Sequence, residues 1–166
     1  MFENIRRDLI TYKGDISAQG FWVMVVYRLG RWRYGIKKRI FRLPFSLAYK
    51  ILFKMVQIIT GIELPCEVRL GKNFEINHFG GIHISRYVVF GDNCRIWQGV
   101  TVGLKDFEKY EVPEIGNDVC IGAGAKVLGP IKIGDHVFIG ANSVVITDVP
   151  SYSIAVGVPA RIISGK

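Results

Sequence analysis

Aliphatic residues recur at every sixth position through most of the second half of the chain. The later run comprises Ile115, Ile121, Val127, Ile133, Ile139 and Val145. An earlier run with the same spacing comprises Leu64, Leu70, Ile76, Ile82, Val88, Cys94 and Val100. A period of six fits neither an α-helix nor an alternating strand, whereas hexapeptide repeats are typical of a parallel β-helix with stacked inward aliphatics. The pattern predicts a β-solenoid over residues 61–166.

The solenoid is interrupted once. Val100 and Ile115 lie fifteen positions apart, so the two runs are offset by three residues. The intervening segment, GLKDFEKYEV, is polar and charged, unlike the repeats on either side. Long loops on a rigid scaffold often carry functional residues. We therefore expect residues 103–113 to leave the solenoid as a loop at one corner.

Residues 1–60 have a different composition, which predicts a basic helical region. They contain twelve Lys and Arg against three acidic residues, whereas residues 61–166 contain ten against eleven. Aromatic residues alternate with the basic ones. This composition suits a helical hairpin on the cytoplasmic face of a membrane, or helices that pack on the base of the solenoid and on neighbouring subunits with their basic faces in solvent. Nucleic acid is disfavoured because no recognised binding module is present.

A membrane span and an exported protein are both disfavoured. The apolar stretch 43–62 has Pro44 near its start and Lys50 and Lys54 in its middle, which a membrane span tolerates poorly. Three cysteines form no complete disulfide framework, and the first ten residues lack the order of a signal peptide. We expect a cytoplasmic protein, with peripheral contact at the inner membrane as an open alternative.

Several motifs resemble those of the left-handed β-helix acyltransferases. They are INHFGGIHI (76–84), IGAGAKVLG (121–129), IGANSVV (139–145) and DVPSYSIAVGVPARI (148–162). The chain is most similar to the serine acetyltransferase branch and its relatives that acetylate polysaccharide sugars. The resemblance implies an all-β, left-handed parallel β-helix with a short α-helical N-terminal extension. It also implies acetyl-CoA as the donor, no metal, and a homotrimer with active sites between subunits.

The same resemblance indicates the catalytic residues. His78 matches the family's catalytic histidine, and Glu63, fifteen residues upstream, matches the carboxylate that orients it. An imidazole suits a general base that takes the proton of an attacking hydroxyl, and a carboxylate behind it fixes the tautomer. The alternatives are a corner histidine without a role and an ordinary surface carboxylate.

The other two histidines have weaker assignments. His83 is a candidate for contacting the acceptor or for a metal partner, but a solvated or packed corner is the favoured interpretation. His136 is expected on the surface. A zinc site built from His78, His83 and His136 is disfavoured, because no histidine precedes His78 as the related zinc enzymes would require.

Coenzyme A needs a groove of small residues for its pantetheine arm and cations for its phosphates. Ala123, Gly124 and Ala141 match the small residues that line this groove in the family, and Gly103 borders the loop. Candidate phosphate partners are Arg161 and either Lys126 or Lys166. The alternative is that the small residues only allow the chain to turn.

The chain departs from serine acetyltransferases at the positions where they hold serine, and these departures bear on the acceptor. Asn77 replaces an Asp, and Glu111 and Val112 replace an Arg-His pair. Glu111 would repel the carboxylate of serine, so a neutral polyol fits better. We expect acetylation of a sugar hydroxyl in polysaccharide or glycan biosynthesis. The alternatives are serine O-acetylation in cysteine biosynthesis and a non-catalytic β-helix scaffold.

Overall fold

Three α-helices precede a parallel β-solenoid. The structure, a computed structural model, describes residues 2–106 and 108–164. The helices are α1 (Phe2–Thr11), α2 (Gln19–Trp32) and α3 (Arg39–Thr60), with a short 3-10 helix at Arg33–Gly35. Helix α3 ends at Gly61, whose left-handed φ of 66° lets the chain turn directly into the first strand.

The solenoid is built from strands of two or three residues and closes with two longer ones. In the described residues these are β1 (Ile62–Glu63), β2 (Arg69–Leu70), β3 (Glu75–Asn77), β4 (Ile82–Ile84), β5 (Val89–Phe90), β6 (Arg95–Trp97), β7 (Thr101–Gly103), β8 (Glu114–Ile115), β9 (Cys120–Ile121), β10 (Lys126–Leu128), β11 (Lys132–Ile133), β12 (Phe138–Ile139), β13 (Val144–Val145), β14 (Ser153–Gly157) and β15 (Ala160–Ser164).

These strands stack into three sheets that form the sides of a prism. Sheet A has the order β1-β4-β7-β10-β13, sheet B has β11-β8-β5-β2, and sheet C has β15-β14-β12-β9-β6-β3. Every pairing is parallel except that between β14 and β15, which form an antiparallel hairpin at one end. The predicted parallel β-helix with a helical N-terminal region is confirmed.

The hexapeptide positions form the core. All six members of the later run are buried, as are those of the earlier run except Leu70, which is half-buried. Most repeats bury two residues two positions apart, within or next to the strand, as with Val100 and Val102 on either side of Thr101. A strand places alternate side chains on one face, so two inward residues fit in each repeat.

The loop is longer than the offset of three residues between the two runs suggests. Paired residues are twenty apart between the first two turns and eighteen apart in most later pairs, as for His83 and Thr101. Val89 instead pairs with Glu114, twenty-five positions on, so the loop adds seven residues. The offset differs from seven because the earlier run ends on Val100, the first of two inward residues at β7, whereas the later run starts on Ile115, the second at β8.

The helices cover the base of the solenoid. Their tyrosines bind the backbone of its first turn: the hydroxyls of Tyr12 and Tyr49 accept hydrogen bonds from the amides of Ile76 and Cys66. Tyr27 donates to the carbonyl of Val68. The structure thus shows the helices packed on the base of the solenoid, whereas packing on neighbouring subunits and contact with a membrane stay predictions. By length and composition alone α3 could cross a membrane, and 11% of its most apolar window is buried.

Candidate active site

His78 lies on an enlarged corner between sheets C and A. The inward residues on either side of this corner, Ile76 and Ile84, are eight positions apart, whereas Ile96 and Val102 span the corner of the next turn in six. His78 has a left-handed φ of 62°, and its side chain is exposed. The two extra residues therefore expose the imidazole, instead of leaving it within a tight corner.

The corners that stack on this one carry small residues, and we call Gly81, Gly99, Ala123, Gly124 and Ala141 the corner strip. Hydrogen bonds of 2.8 Å join successive corners, from the Gly99 amide to the Gly80 carbonyl and from the Asn142 amide to the Ala123 carbonyl. A Cβ on Gly99, at φ 73°, would lie 3.3 Å from the Cα of Gly124. A strip made mainly of small residues thus leads away from His78, with Gln98 exposed within it.

The other predicted coenzyme contacts lie in three different places. The ammonium of Lys126 donates to the Gly99 carbonyl, so this cation lies on the corner strip. Gly103 is buried at the end of β7, where a Cβ would collide with Ser85 Oγ. Arg161 is exposed on β15, opposite Val156. Lys166 lies outside the described residues.

A cleft of about 420 Å³ separates the His78 corner from the α1–α2 connection. Its walls include Tyr12, Asp15, Gln19, Asn77 and His78. Hydrogen bonds from the Ser17 hydroxyl and backbone amide lower the pKa of Asp15, which therefore stays charged at neutral pH. The side-chain oxygen of Gln19 is buried and has no hydrogen-bond partner among the described residues. Such an oxygen is free to accept a bond from a ligand.

Sequence reasoning missed Asp15 and Gln19. The helices were interpreted as an appendage, and no motif marks the connection between them. The one local signal is Gly20, because a Cβ there would lie 2.5 Å from the Tyr12 hydroxyl and 2.6 Å from the Ile76 carbonyl. A glycine is therefore needed for α2 to approach β3 closely enough to form the cleft.

Glu63 contacts His83, not His78 as the sequence led us to expect. Its Oε2 lies 3.1 Å from His83 Nδ1 and accepts a hydrogen bond of 2.9 Å from Gln57. The reason is register: Glu63 on β1 pairs with His83 on β4, so the two side chains point from the same face of sheet A. Within the described residues no hydrogen bond to the His78 ring is found. The catalytic roles of His78 and Glu63 stay predictions.

The loop that leaves after β7 is packed against a neighbouring corner. Tyr110 contacts Tyr87 edge-to-face, with ring centroids 5.8 Å apart. Glu111 is exposed and shares a shallow depression with Lys105 and Lys109. Within one chain, Glu111 thus lines a different depression from the cleft of His78 and Asn77.

His136 is accounted for by local packing. Its ring stacks on Tyr152 with centroids 4.7 Å apart, and its Nδ1 lies 3.9 Å from a carboxylate oxygen of Asp118. Across residues 2–106 and 108–164, no group of three His, Cys, Asp or Glu side chains is placed to hold a metal ion. The absence of a metal stays an expectation.

The stacked hexapeptides place the chain in a known class. The family described as "Bacterial transferase hexapeptide (six repeats)" matches residues 113–147. A crystal structure of serine acetyltransferase in complex with coenzyme A, from Brucella abortus strain S19, superposes with a TM-score of 0.81 at 31% identity, covering 99% of this chain and 68% of that one. The protein is thus a left-handed β-helix acyltransferase.

Curated relatives narrow the class further. Serine acetyltransferase from Synechococcus elongatus is 40% identical over 98% of this chain and 69% of its own length. Serine acetyltransferase from Staphylococcus aureus strain Mu50 is 36% identical over 98% of this chain and 79% of its own length. The chain belongs to the serine acetyltransferase family and is an O-acetyltransferase.

Proposed function

We propose that this enzyme transfers the acetyl group of acetyl-CoA to a hydroxyl oxygen, with His78 as general base. The observation that carries the proposal is the position of His78, where the helical cleft meets the corner strip. The strip suits the narrow pantetheine arm, and the cleft offers polar groups to an acceptor. The complex of the Brucella abortus relative with coenzyme A supports this donor.

One base is enough for both proton transfers of this reaction. The acceptor oxygen attacks the thioester carbonyl carbon while its proton passes to the imidazole of His78. The tetrahedral intermediate then expels the thiolate of coenzyme A, which takes the proton back from the imidazolium. The products are an O-acetyl ester and the free thiol of coenzyme A. The role of the imidazole is to hold one proton between the two steps.

Serine is the acceptor that the relatives favour. Both curated relatives described above are named serine acetyltransferases and align with 98% of this chain. The charged Asp15 beside His78 offers a partner for an ammonium group. This proposal differs from the sugar acceptor expected from the sequence.

A sugar hydroxyl is the second candidate, and a specific observation favours it. Asn77 lines the cleft without a charge, and Glu111 places a carboxylate on the loop. A carboxylate disfavours an acceptor that is itself anionic. Uncharged hydrogen-bonding groups, such as the free oxygen of Gln19, suit a polyol.

The deciding experiment measures release of the coenzyme A thiol by purified protein. Acetyl-CoA is offered with serine in one series and with sugars, nucleotide sugars and oligosaccharides in another, and the product is identified by NMR. Turnover with serine alone would confirm the first acceptor. Turnover with a glycan alone would replace it with the second. No thiol release with any acceptor, in protein that binds acetyl-CoA, would contradict the proposal and favour a non-catalytic scaffold.

We also propose that the enzyme is a homotrimer whose active sites lie between subunits, so that the loop of one subunit faces His78 of the next. Exposed apolar residues on the outer face of the last turns, such as Phe138 and Ile163, suit burial in an assembly.

Sedimentation analysis should give three times the chain mass of 18.7 kDa. Mixed trimers of a His78→Ala subunit and a subunit without residues 104–110 should regain activity. If both single variants are inactive and the mixed trimers are inactive too, the proposal that active sites lie between subunits is contradicted.

The cysteines bear on localisation. Cys66 and Cys94 are buried free thiols, and Cys120 is a half-buried one. Free thiols of this kind suit a reducing compartment. We infer a cytoplasmic enzyme, consistent with a supply of acetyl-CoA.

A further inference from the structure

Helix α3 is fixed to the protein along one side only. On that side Tyr49 is buried, its hydroxyl accepts a 3.0 Å hydrogen bond from the Cys66 amide, and the Arg33 guanidinium lies 4.3 Å from its ring centroid. Near the end of the helix, Gln57 donates to Glu63 and Thr60 is buried. These contacts hold α3 lengthwise against α2 and the first turn of the solenoid.

The opposite side of α3 is apolar and uncovered. Ile40, Leu47, Ile51 and Ile58 are 75%, 60%, 54% and 74% exposed. Their spacing of seven, four and seven residues places them in one line along the helix. Leu43, Met55 and Ile59 widen this line on its two sides and are also at least half exposed. The stripe is about 30 Å long for a helix of 22 residues.

The charge around this stripe is mainly basic, although Glu63 and Glu67 share a depression with Lys50 and Lys54. Between Asp15 and Glu63 the sequence contains nine Lys and Arg and no acidic residue. Arg39, Lys50 and Lys54 are exposed and follow one flank of the stripe. Trp32 and Tyr34, at the turn before α3, are also exposed. Apolar residues between basic ones, with exposed aromatics nearby, are the composition of helices that lie in the headgroup region of anionic membranes.

We propose that α3 docks this enzyme on an anionic lipid surface, with the stripe of Ile40, Leu47, Ile51 and Ile58 in the acyl boundary and its lysines at the headgroups. The helix lies in the plane of the membrane, because spanning it would break the contacts of Tyr49 and Gln57 and bury Lys50 and Lys54. Two copies of this chain joined stripe to stripe would bring rows of lysines together, while the nearest carboxylates, Glu63 and Glu67, already accept hydrogen bonds from Gln57 and Tyr34. A lipid surface supplies the missing negative charge.

The proposal is independent of the acceptor and of the reaction, and vesicle flotation tests it. The chain of 166 residues is mixed with vesicles of phosphatidylcholine alone or with added phosphatidylglycerol. We expect binding to the anionic vesicles only, weakened as salt is raised. The double change Leu47→Glu and Ile51→Glu should abolish it, and Lys50→Glu with Lys54→Glu should weaken it by at least about tenfold.

Ile10→Glu is the matched control, since Ile10 is 70% exposed on α1, away from the stripe. This variant should bind vesicles as the unaltered protein does. Circular dichroism should show equal folding in every variant. Failure of the unaltered protein to float with anionic vesicles would overturn the proposal. An equal loss of vesicle binding with Ile10→Glu would also overturn it. A stripe variant that floats normally but sediments as a smaller assembly would do the same, because it would assign the stripe to subunit contacts.

Discussion

At the scale of single residues, the two histidines of the INHFGGIHI motif have different surroundings. His78 lines the helical cleft at the foot of the corner strip, whereas His83 pairs with Glu63 on the flat face of sheet A. We predict that His78→Ala lowers kcat by about 100-fold or more while coenzyme A still binds, because a general base contributes about that factor. His83→Ala should lower kcat by less than about tenfold. Steady-state kinetics with calorimetric binding of coenzyme A checks both.

The variant Glu63→Gln tests whether this carboxylate acts on His83 or on His78. The observed bond predicts that this variant behaves like His83→Ala, because the amide still accepts one hydrogen bond and His78 is unaffected. A loss as large as that of His78→Ala would show that Glu63 turns to His78 during catalysis, as the family pattern implies.

Cys94 makes stability depend on pH at the alkaline end. Burial raises the pKa of its thiol to about 11, from 9.0 for an unperturbed cysteine. Below pH 9 both folded and unfolded chains hold the proton, so the stabilisation is fully present. Between about pH 9 and 11 the unfolded thiol ionises first, and the free energy of unfolding should fall by about 2 to 3 kcal/mol.

Urea unfolding of the unaltered protein and of Cys94→Val at several pH values measures this effect. Buried tyrosines such as Tyr12 also have a raised pKa, so the difference between the two proteins is the relevant quantity. As the pH rises from 9 to 11, the free energy of unfolding of the unaltered protein should fall by about 2 to 3 kcal/mol relative to that of Cys94→Val. Parallel curves would show that the thiol does not titrate differently in the folded chain.

At the scale of elements, the loop between β7 and β8 is separable from the solenoid. It adds seven residues to a turn that otherwise takes eighteen. Removing residues 104–110 restores the normal spacing, so we predict unchanged circular dichroism and an acetyl-transfer rate reduced by about 100-fold or more, because the loop is proposed to wall the site. Deleting three of these residues serves as the control. Loss of the folded circular-dichroism signal on removal of residues 104–110 would show that the loop supports the core.

The repeats explain how much of the fold was accessible from sequence. Val127 and Ile133 could be recognised as inward residues because the core accepts only aliphatic side chains there. The enlarged corner at 78–81 was hidden, since Ile82, the first inward residue of β4, falls six positions after Ile76 despite two extra residues. The cleft was hidden too, because Gln19 and His78 meet only through the packing of α2 on β3.

At the scale of the whole molecule, the helices cover the end of the solenoid core at its first turn. Tyr12, Tyr27 and Tyr49 bind the backbone of the first turn. We predict that a chain lacking residues 1–60 aggregates, because the first turn would expose its apolar face. Size-exclusion chromatography and circular dichroism check this. A soluble, monodisperse solenoid would contradict it, and Tyr27→Phe, which loses one hydrogen bond, should cost only about 1 kcal/mol.

The loop departs from and returns to a single corner of the prism, between strands that remain in register on both sides. Its length is therefore not coupled to the stacking of the turns. Segments of other lengths and sequences could be grafted between Gly103 and Glu114 without redesign of the interior. The scaffold thus offers a fixed point of insertion at which the proposed acceptors can be tested, and this point lies at a different corner from the corner strip.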